Sequence, residues 1–72
     1  MESHYDKEND ILSIQLAKDE YWKSIELPSG IIIDVAKDGN IIGIEILNAS
    51  KIFSGEVRKV LDIAKKAVSK PN

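Results

Sequence analysis

Apolar and polar residues alternate with period two through most of residues 11–47, and with helical period after residue 54. Ile11 to Leu16 places Leu12, Ile14 and Leu16 on one face and Ile11, Ser13 and Gln15 on the other, the pattern of a half-buried strand. Tyr21 to Leu27 alternates again, with Tyr21, Lys23, Ile25 and Leu27 opposed to Trp22, Ser24 and Glu26. Pro28-Ser29-Gly30 ends that run, because proline cannot donate to a ladder and glycine accepts positive φ. Residues 2–5, ahead of the polar cluster Asp6-Lys7-Glu8-Asn9-Asp10, read as a short edge strand.

Residues 31–36 and 41–47 are β-rich runs either side of Asp38-Gly39. With that pair at the centre of a two-residue primed turn, Ile42 faces Val35, Ile44 faces Ile33 and Ile46 faces Ile31, giving one wholly β-branched face. The other face carries Ile32, Asp34, Ala36, Ile41, Gly43, Glu45 and Leu47, a mixture. A three-residue loop would set Ile42 opposite Asp34, so the separation of faces favours the even loop.

From Ser54 the period changes. Val57, Val60, Leu61, Ala64 and Val68 form one apolar helical stripe, with Ser54 as N-cap and Glu56 in the first turn. Lys65, Lys66 and Lys70 gather near the carbonyl end, and Pro71 follows. The expected product is a single α+β domain over residues 1–72. It is a four- to five-stranded antiparallel β-meander, strands about 2–5, 11–16, 21–27, 31–36 and 41–47, with one C-terminal helix, about 54–69, packed on its apolar face.

A chain of 72 residues buries only about 60% of its unfolded surface and gains from a staple. With no cysteine, disulfides and thiolate metal sites are excluded. His4, the single histidine, reads as an exposed residue and leaves no His pair for zinc. Association is the aid left open, and a homodimer is expected. No leader-like apolar segment stands in residues 1–20, and no run approaches the roughly 20 apolar residues of a membrane span. The expectation is therefore a cytoplasmic protein without a membrane partner.

Charge is unevenly placed. Residues 1–47 hold ten acids and four lysines, whereas residues 48–72 hold two acids and six basic residues. An acidic sheet carrying a basic helix follows. Arg58, Lys59, Lys65, Lys66 and Lys70 read as a solvated helix face. Without interleaved aromatics or a helix-turn-helix pair, nucleic acid is not an expected partner.

On the mixed face, Asp34 and Glu45 are diagonal neighbours, and Glu26 joins them if its strand pairs alongside. Such acids suit a hard cation or a basic partner, but two carboxylates have little metal specificity, so no metal or cofactor is expected. Trp22, Ile32, Ile41 and Leu47 share that face and are left facing water if the helix covers the other. A contiguous apolar patch of this kind marks an interface. Gly43 within its strand reads as a close-packing point that Trp22 could cross.

The residues therefore point to a non-catalytic protein-binding module. Ile32, Ile41 and Leu47 would supply affinity, and Asp34 and Glu45 selectivity for a basic partner. The alternative is a small carboxylate-based enzyme that binds a ligand or metal at a dimer cleft. Against it stand the single histidine and the missing nucleophile–base pair, so no catalytic residue is assigned.

Tyr5-Asp6 with Asp10, the strand Ile11 to Leu16, Ile33-Asp34 before Asp38-Gly39-Asn40, and above all Gly43-Ile44-Glu45-Ile46-Leu47-Asn48-Ala49-Ser50 carry a family resemblance. Over roughly Tyr5 to Lys51 the chain resembles the small bacterial and archaeal proteins grouped as domain of unknown function 2283. The resemblance implies a small sheet-based fold and no assigned activity. Toxin-like genes near some family members imply an antitoxin-like role. Asn48-Ala49-Ser50 itself reads as a capping turn between strand and helix.

Overall fold

The computed structural model describes residues 1–69, so Lys70 and Pro71 of the expected helix end lie outside the described residues. Five strands form one antiparallel sheet: β1 Glu2–Asp6, β2 Ile11–Gln15, β3 Tyr21–Glu26, β4 Ile31–Ala36 and β5 Ile41–Leu47. A four-residue helix, α1 (Ala49–Ile52), follows β5, and α2 (Val57–Ser69) ends the described chain. The α+β class and the C-terminal helix are as the periodicities indicate.

The strand order, β1-β2-β5-β4-β3, is not a continuous meander. β5 inserts between β2 and β4, and the chain crosses the sheet end between β2 and β3. Polarity accounts for this order. The most apolar strands, β4 (IIIDVA) and β5 (IIGIEIL), are paired on both sides, whereas the polar ESHYD and YWKSIE strands take the edges, where exposed backbone groups and charged side chains meet water. Residues 16–20 span three strand spacings, about 14 Å, within the reach of five extended residues.

The core lies between the sheet and α2. Ile14, Ile31, Ile33, Val35, Ile44 and Ile46 are buried from the sheet, Ala49 from α1, and Val60 and Ala64 from α2. Leu12, Leu16, Ile25, Leu27, Phe53, Val57, Leu61 and Val68 pack around them. The helical stripe therefore does what its spacing requires. The start of α2 differs from expectation: it begins at Val57, and Gly55 stands at φ 93° between it and Ser54.

The β4–β5 hairpin also differs. Ile31, Ile32, Ile33 and Asp34 face Ile46, Glu45, Ile44 and Gly43, but Val35 faces Ile41. The turn contains three residues, Lys37-Asp38-Gly39. Gly39 N–H donates to the Ala36 carbonyl, Ala36 N–H donates to Asn40, and Gly39 has φ 92°, a turn whose left-handed residue forms a G1 bulge. The odd loop shifts the register by one residue. A bulge at Ile42 shifts it back, so the β-branched face survives.

This bulge has a second role. The Ile42 carbonyl accepts N–H bonds from both Leu16 (2.9 Å) and Ala17 (3.3 Å), while Lys37 N–H donates to the Glu20 carbonyl at 2.9 Å. The crossover is thus stitched to the hairpin it passes. A Lys37–Glu20 ion pair at 3.2 Å is exposed and adds little.

Candidate functional site

Register defines the sheet face opposite α2 as rows of neighbouring side chains. Glu2, Gln15, Gly43, Asp34 and Ser24 form one row across the five strands. His4, Ser13, Glu45, Ile32 and Glu26 form the next, and Asp6, Ile11 and Leu47 a third. Gly43 and Ser13 are the small members at the centre, so the face sinks there. The resulting open groove, about 740 Å³, is lined by Glu2, His4, Asp34, Ile42, Gly43 and Glu45, with Lys18 and Asp19 from the crossover. Its charged lining is four carboxylates against one lysine.

Asp34 is held in place. Ser24 Oγ donates to Asp34 Oδ1 at 2.6 Å, and Tyr21 Oη lies 2.8 Å from Ser24 Oγ. A methyl group at Gly43 would stand 3.4 Å from Asp34 Oδ2 and from the Ile14 carbonyl. It is Asp34 that lies over Gly43, where the sequence suggested Trp22. Asp34 and Glu45 occupy adjacent rows on neighbouring strands, as the hairpin register requires, and Glu26 stands in Glu45's row beyond Ile32. Among the described residues no three His, Cys, Asp or Glu side chains converge to hold a metal ion.

The apolar members of the expected patch separate. Ile32 and Leu47 are half-buried on the groove face, one row and two rows from the Gly43 floor. Ile41 is turned by the bulge onto the α2 side, where it packs against the core, and Ile42 takes its place in the groove. Trp22 is the extra residue of a second bulge, between Tyr21 and Lys23. It is 54% exposed at the β3 edge, with Lys23 Nζ 4.2 Å from its ring centroid. That bulge brings Tyr21 onto Ser24's face, which strict alternation had denied it. Ser13 and Gln15 share one face of the expected strand 11–16, whereas nothing within residues 2–5 assigns Glu2 and His4 a face; only pairing of β1 with β2 and of β2 with β5 brings the four onto the face of Asp34 and Glu45.

The residues that carried the family resemblance build a clamp at the other end of the sheet. Tyr5 Oη donates to Asp10 Oδ1 at 2.6 Å, Ser50 N–H donates to the same oxygen at 3.0 Å, and Ser50 Oγ donates to Asp10 Oδ2 at 2.7 Å. Ala49 N–H donates to the Asp10 carbonyl at 3.0 Å. Asp10 and Asn48 both take left-handed backbone conformations, φ 57° and 54°, which Asx side chains tolerate better than most. Asp10 thus joins the β1–β2 turn to the start of α1.

Charge and hydrogen bonding act on one another there. The Tyr5 hydroxyl, and then Ser50, hold the Asp10 carboxyl below its ordinary range. The bond to Asp10 pushes Tyr5 up. In the β1–β2 turn, Asn9's side chain and N–H lower Asp6. The Asp10 carboxylate, the Tyr5 hydroxyl and the Ser50 N–H and hydroxyl are thus engaged with one another, an architectural role, whereas the Asn48 side chain makes no capping bond to α1.

Among the described residues no helix is long and apolar enough to cross a membrane. No solved structure matches the chain. Two curated archaeal relatives do. An "Uncharacterized protein MJ0789" of Methanocaldococcus jannaschii is 44% identical over 50 residues, 69% of this chain and 42% of that protein. A "Putative hypoxanthine phosphoribosyltransferase" of Methanosarcina mazei is 44% identical over 50 residues, 69% of this chain and 40% of that protein. The chain therefore spans about two fifths of the length of these relatives. A family model described as "Protein of unknown function (DUF2283)" matches residues 3–50, from β1 to the Ser50 that Asp10 binds. The five strands and their clamp are the matched unit, α2 lies beyond it, and the chain belongs to the DUF2283 family.

Proposed function

We propose that this domain is a non-catalytic, cytoplasmic protein-binding module whose sheet face receives a basic protein surface. One observation supports it above the rest: the face opposite α2 is left uncovered by the described residues and sinks into a groove with four carboxylates, Glu2, Asp19, Asp34 and Glu45, against Lys18. Ile32, Ile42 and Leu47 offer half-buried apolar area beside those charges. Apolar contact supplies affinity, and the carboxylates steer and select. An antitoxin-like regulator that neutralises a cationic protein is the concrete form of this reading.

The activity in the name of the Methanosarcina mazei relative is not carried over to this chain: carboxylates repel phosphate groups unless a cation stands between them.

Tagged wild-type protein and a folded Asp34→Lys/Glu45→Lys variant, each incubated with native lysate and read by quantitative mass spectrometry, test the proposal. A basic protein captured stoichiometrically by the wild type and lost by the variant is expected. Equal capture by both, or none by either, overturns it.

A further inference from the structure

Resting on that reading of the groove as a protein-docking face, we propose that it also docks the basic outer face of α2 from a second copy of this chain, head to tail. The sheet face and the helix of one chain carry opposite charge. Away from the buried stripe Val57, Val60, Leu61, Ala64 and Val68, α2 exposes Lys59 and Lys66 on its outermost side beside Asp62, the one acid within the helix, and Arg58 and Lys65 on one flank. Lys59 also meets Glu56 at 3.8 Å, an exposed contact that leaves its charge available. At about 100° per residue, Lys59 and Lys66 point furthest from the core; Ile63, 44% exposed, lies a turn from each and about 40–60° to one side as an apolar anchor, with Asp62 on the other side.

Dimensions agree with charge. The groove runs from Glu2 on β1 to Asp34 on β4, three strand spacings or about 14 Å, and a helix with its side chains is about 10–12 Å across. Ile42 on the groove wall supplies the apolar counterpart to Ile63.

Geometry also fixes the symmetry. Groove and α2 occupy opposite faces of one sheet, so a chain cannot fill its own groove. Two rigid copies cannot exchange both contacts about a two-fold axis. The contact is heterologous, and each added copy leaves one groove and one helix free. Association is therefore open-ended, and a basic partner competes with it for the groove.

Sedimentation velocity on the full chain tests this. At roughly 10 mM salt, where the screening length is about 30 Å, the wild-type mass should climb with concentration past two chains. At about 1 M salt, where that length is about 3 Å, it should fall back to one. Asp34→Asn/Glu45→Gln and Lys59→Gln/Lys66→Gln should each be monomeric alone. Mixed in equal amounts, they should form a species that stops at two chains, because only one native groove and one native helix remain to meet. Glu2→Gln/Glu45→Gln and Arg58→Gln/Lys65→Gln replace any variant that fails to fold. A wild type that stays monomeric at low salt, a neutralised variant that associates like the wild type, or a mixture that stays monomeric overturns the stacking. None of those results bears on capture of a basic protein, which the Asp34→Lys/Glu45→Lys experiment reads separately.

Discussion

Deleting Ile42 should leave a folded protein, although it removes the second residue of the most central strand. The three-residue turn pairs Val35 with Ile41, whereas Asp34 pairs with Gly43, and Ile42 is the residue that reconciles the two registers. Without it, Ile41, Gly43 and Ile44 alternate directly: core face, groove face, core face. Ile41 stays opposite Val35, and Ile44 stays opposite Ile33. What is lost is the Ile42 carbonyl, which accepts from Leu16 and Ala17. Two hydrogen bonds at about 0.5–1.5 kcal/mol each amount to roughly 1–3 kcal/mol. A domain of this size has about 4–10 kcal/mol in total. At about 4–8 °C per kcal/mol, the midpoint should fall roughly 4–24 °C, with a cooperative transition kept.

Deletion of Glu45 is the contrasting case. It moves Ile46, 1% exposed, from the core face to the groove face, and emptying such a site costs about 2–5 kcal/mol before the mispaired neighbours are counted. This variant should not fold. Thermal and urea unfolding followed by circular dichroism read both. If the Ile42 deletion is as disordered as the Glu45 deletion, or if both fold equally well, the compensating-bulge argument fails.

Three further outcomes are expected. Ile33, fully buried at the centre of the sheet, should lose about 0.5–1.5 kcal/mol as Ile33→Val and about 2–5 as Ile33→Ala, read by urea midpoint at constant slope; a surface-like loss in both would show that α2 does not seal the core. Asp10 titrates below its ordinary value of 3.8, so its contribution is present above that value and lost as pH falls through the lowered one. Tyr5 is raised above 10.0, so its contribution is present below that value and lost as pH rises. Melting temperature should therefore drop at both extremes, Asp10→Asn should flatten the acid limb (Asp6 retaining part of it) and Tyr5→Phe the alkaline one; unchanged profiles would show that the clamp does not couple to folding. Gly43→Ala should change stability by less than about 1 kcal/mol, because its new contacts at 3.4 Å are ordinary ones and a strand glycine gains from a side chain, while Gly43→Leu should stay folded and lose partner capture by filling the groove floor.

Much of the fold is legible because β-branched residues mark one face so strongly. Ile31, Ile33, Ile44 and Ile46 admit only the register that buries all four, and the structure has it. The turn is less legible for a physical reason: Ile41-Ile42 are identical neighbours, so the apolar pattern tolerates either phase and hides a one-residue bulge. Tyr21-Trp22 does the same on β3. A local signal for the three-residue turn does exist in Asp38-Gly39-Asn40. Asp38 Oδ1 accepts Asn40 N–H at 3.0 Å, and Asp38 Oδ2 accepts the Asn40 side chain at 3.0 Å, a local side-chain turn that precedes any pairing.

Strand order and the groove depend on contacts distant in sequence, which period and turn chemistry do not encode. Strand polarity encodes them partly, since a strand with two apolar-tolerant edges belongs at the centre. By that reasoning β5 needs a second partner beyond β4, and β2, with Leu12 and Ile14, is the half-apolar candidate. Once β2 takes that place, Ser13 and Gln15 come beside Glu45 and Gly43, β1 adds Glu2 and His4, and the carboxylates of separate strands share one trough. Asp34 and Glu45 are legible together from the β4–β5 hairpin, whereas no alternation places Glu2 or Asp19. Their addition follows from the insertion of β5, and so the full groove stands or falls with the pairing of Ile14 to Ile44, which buries the core on one face as it assembles the candidate docking surface on the other.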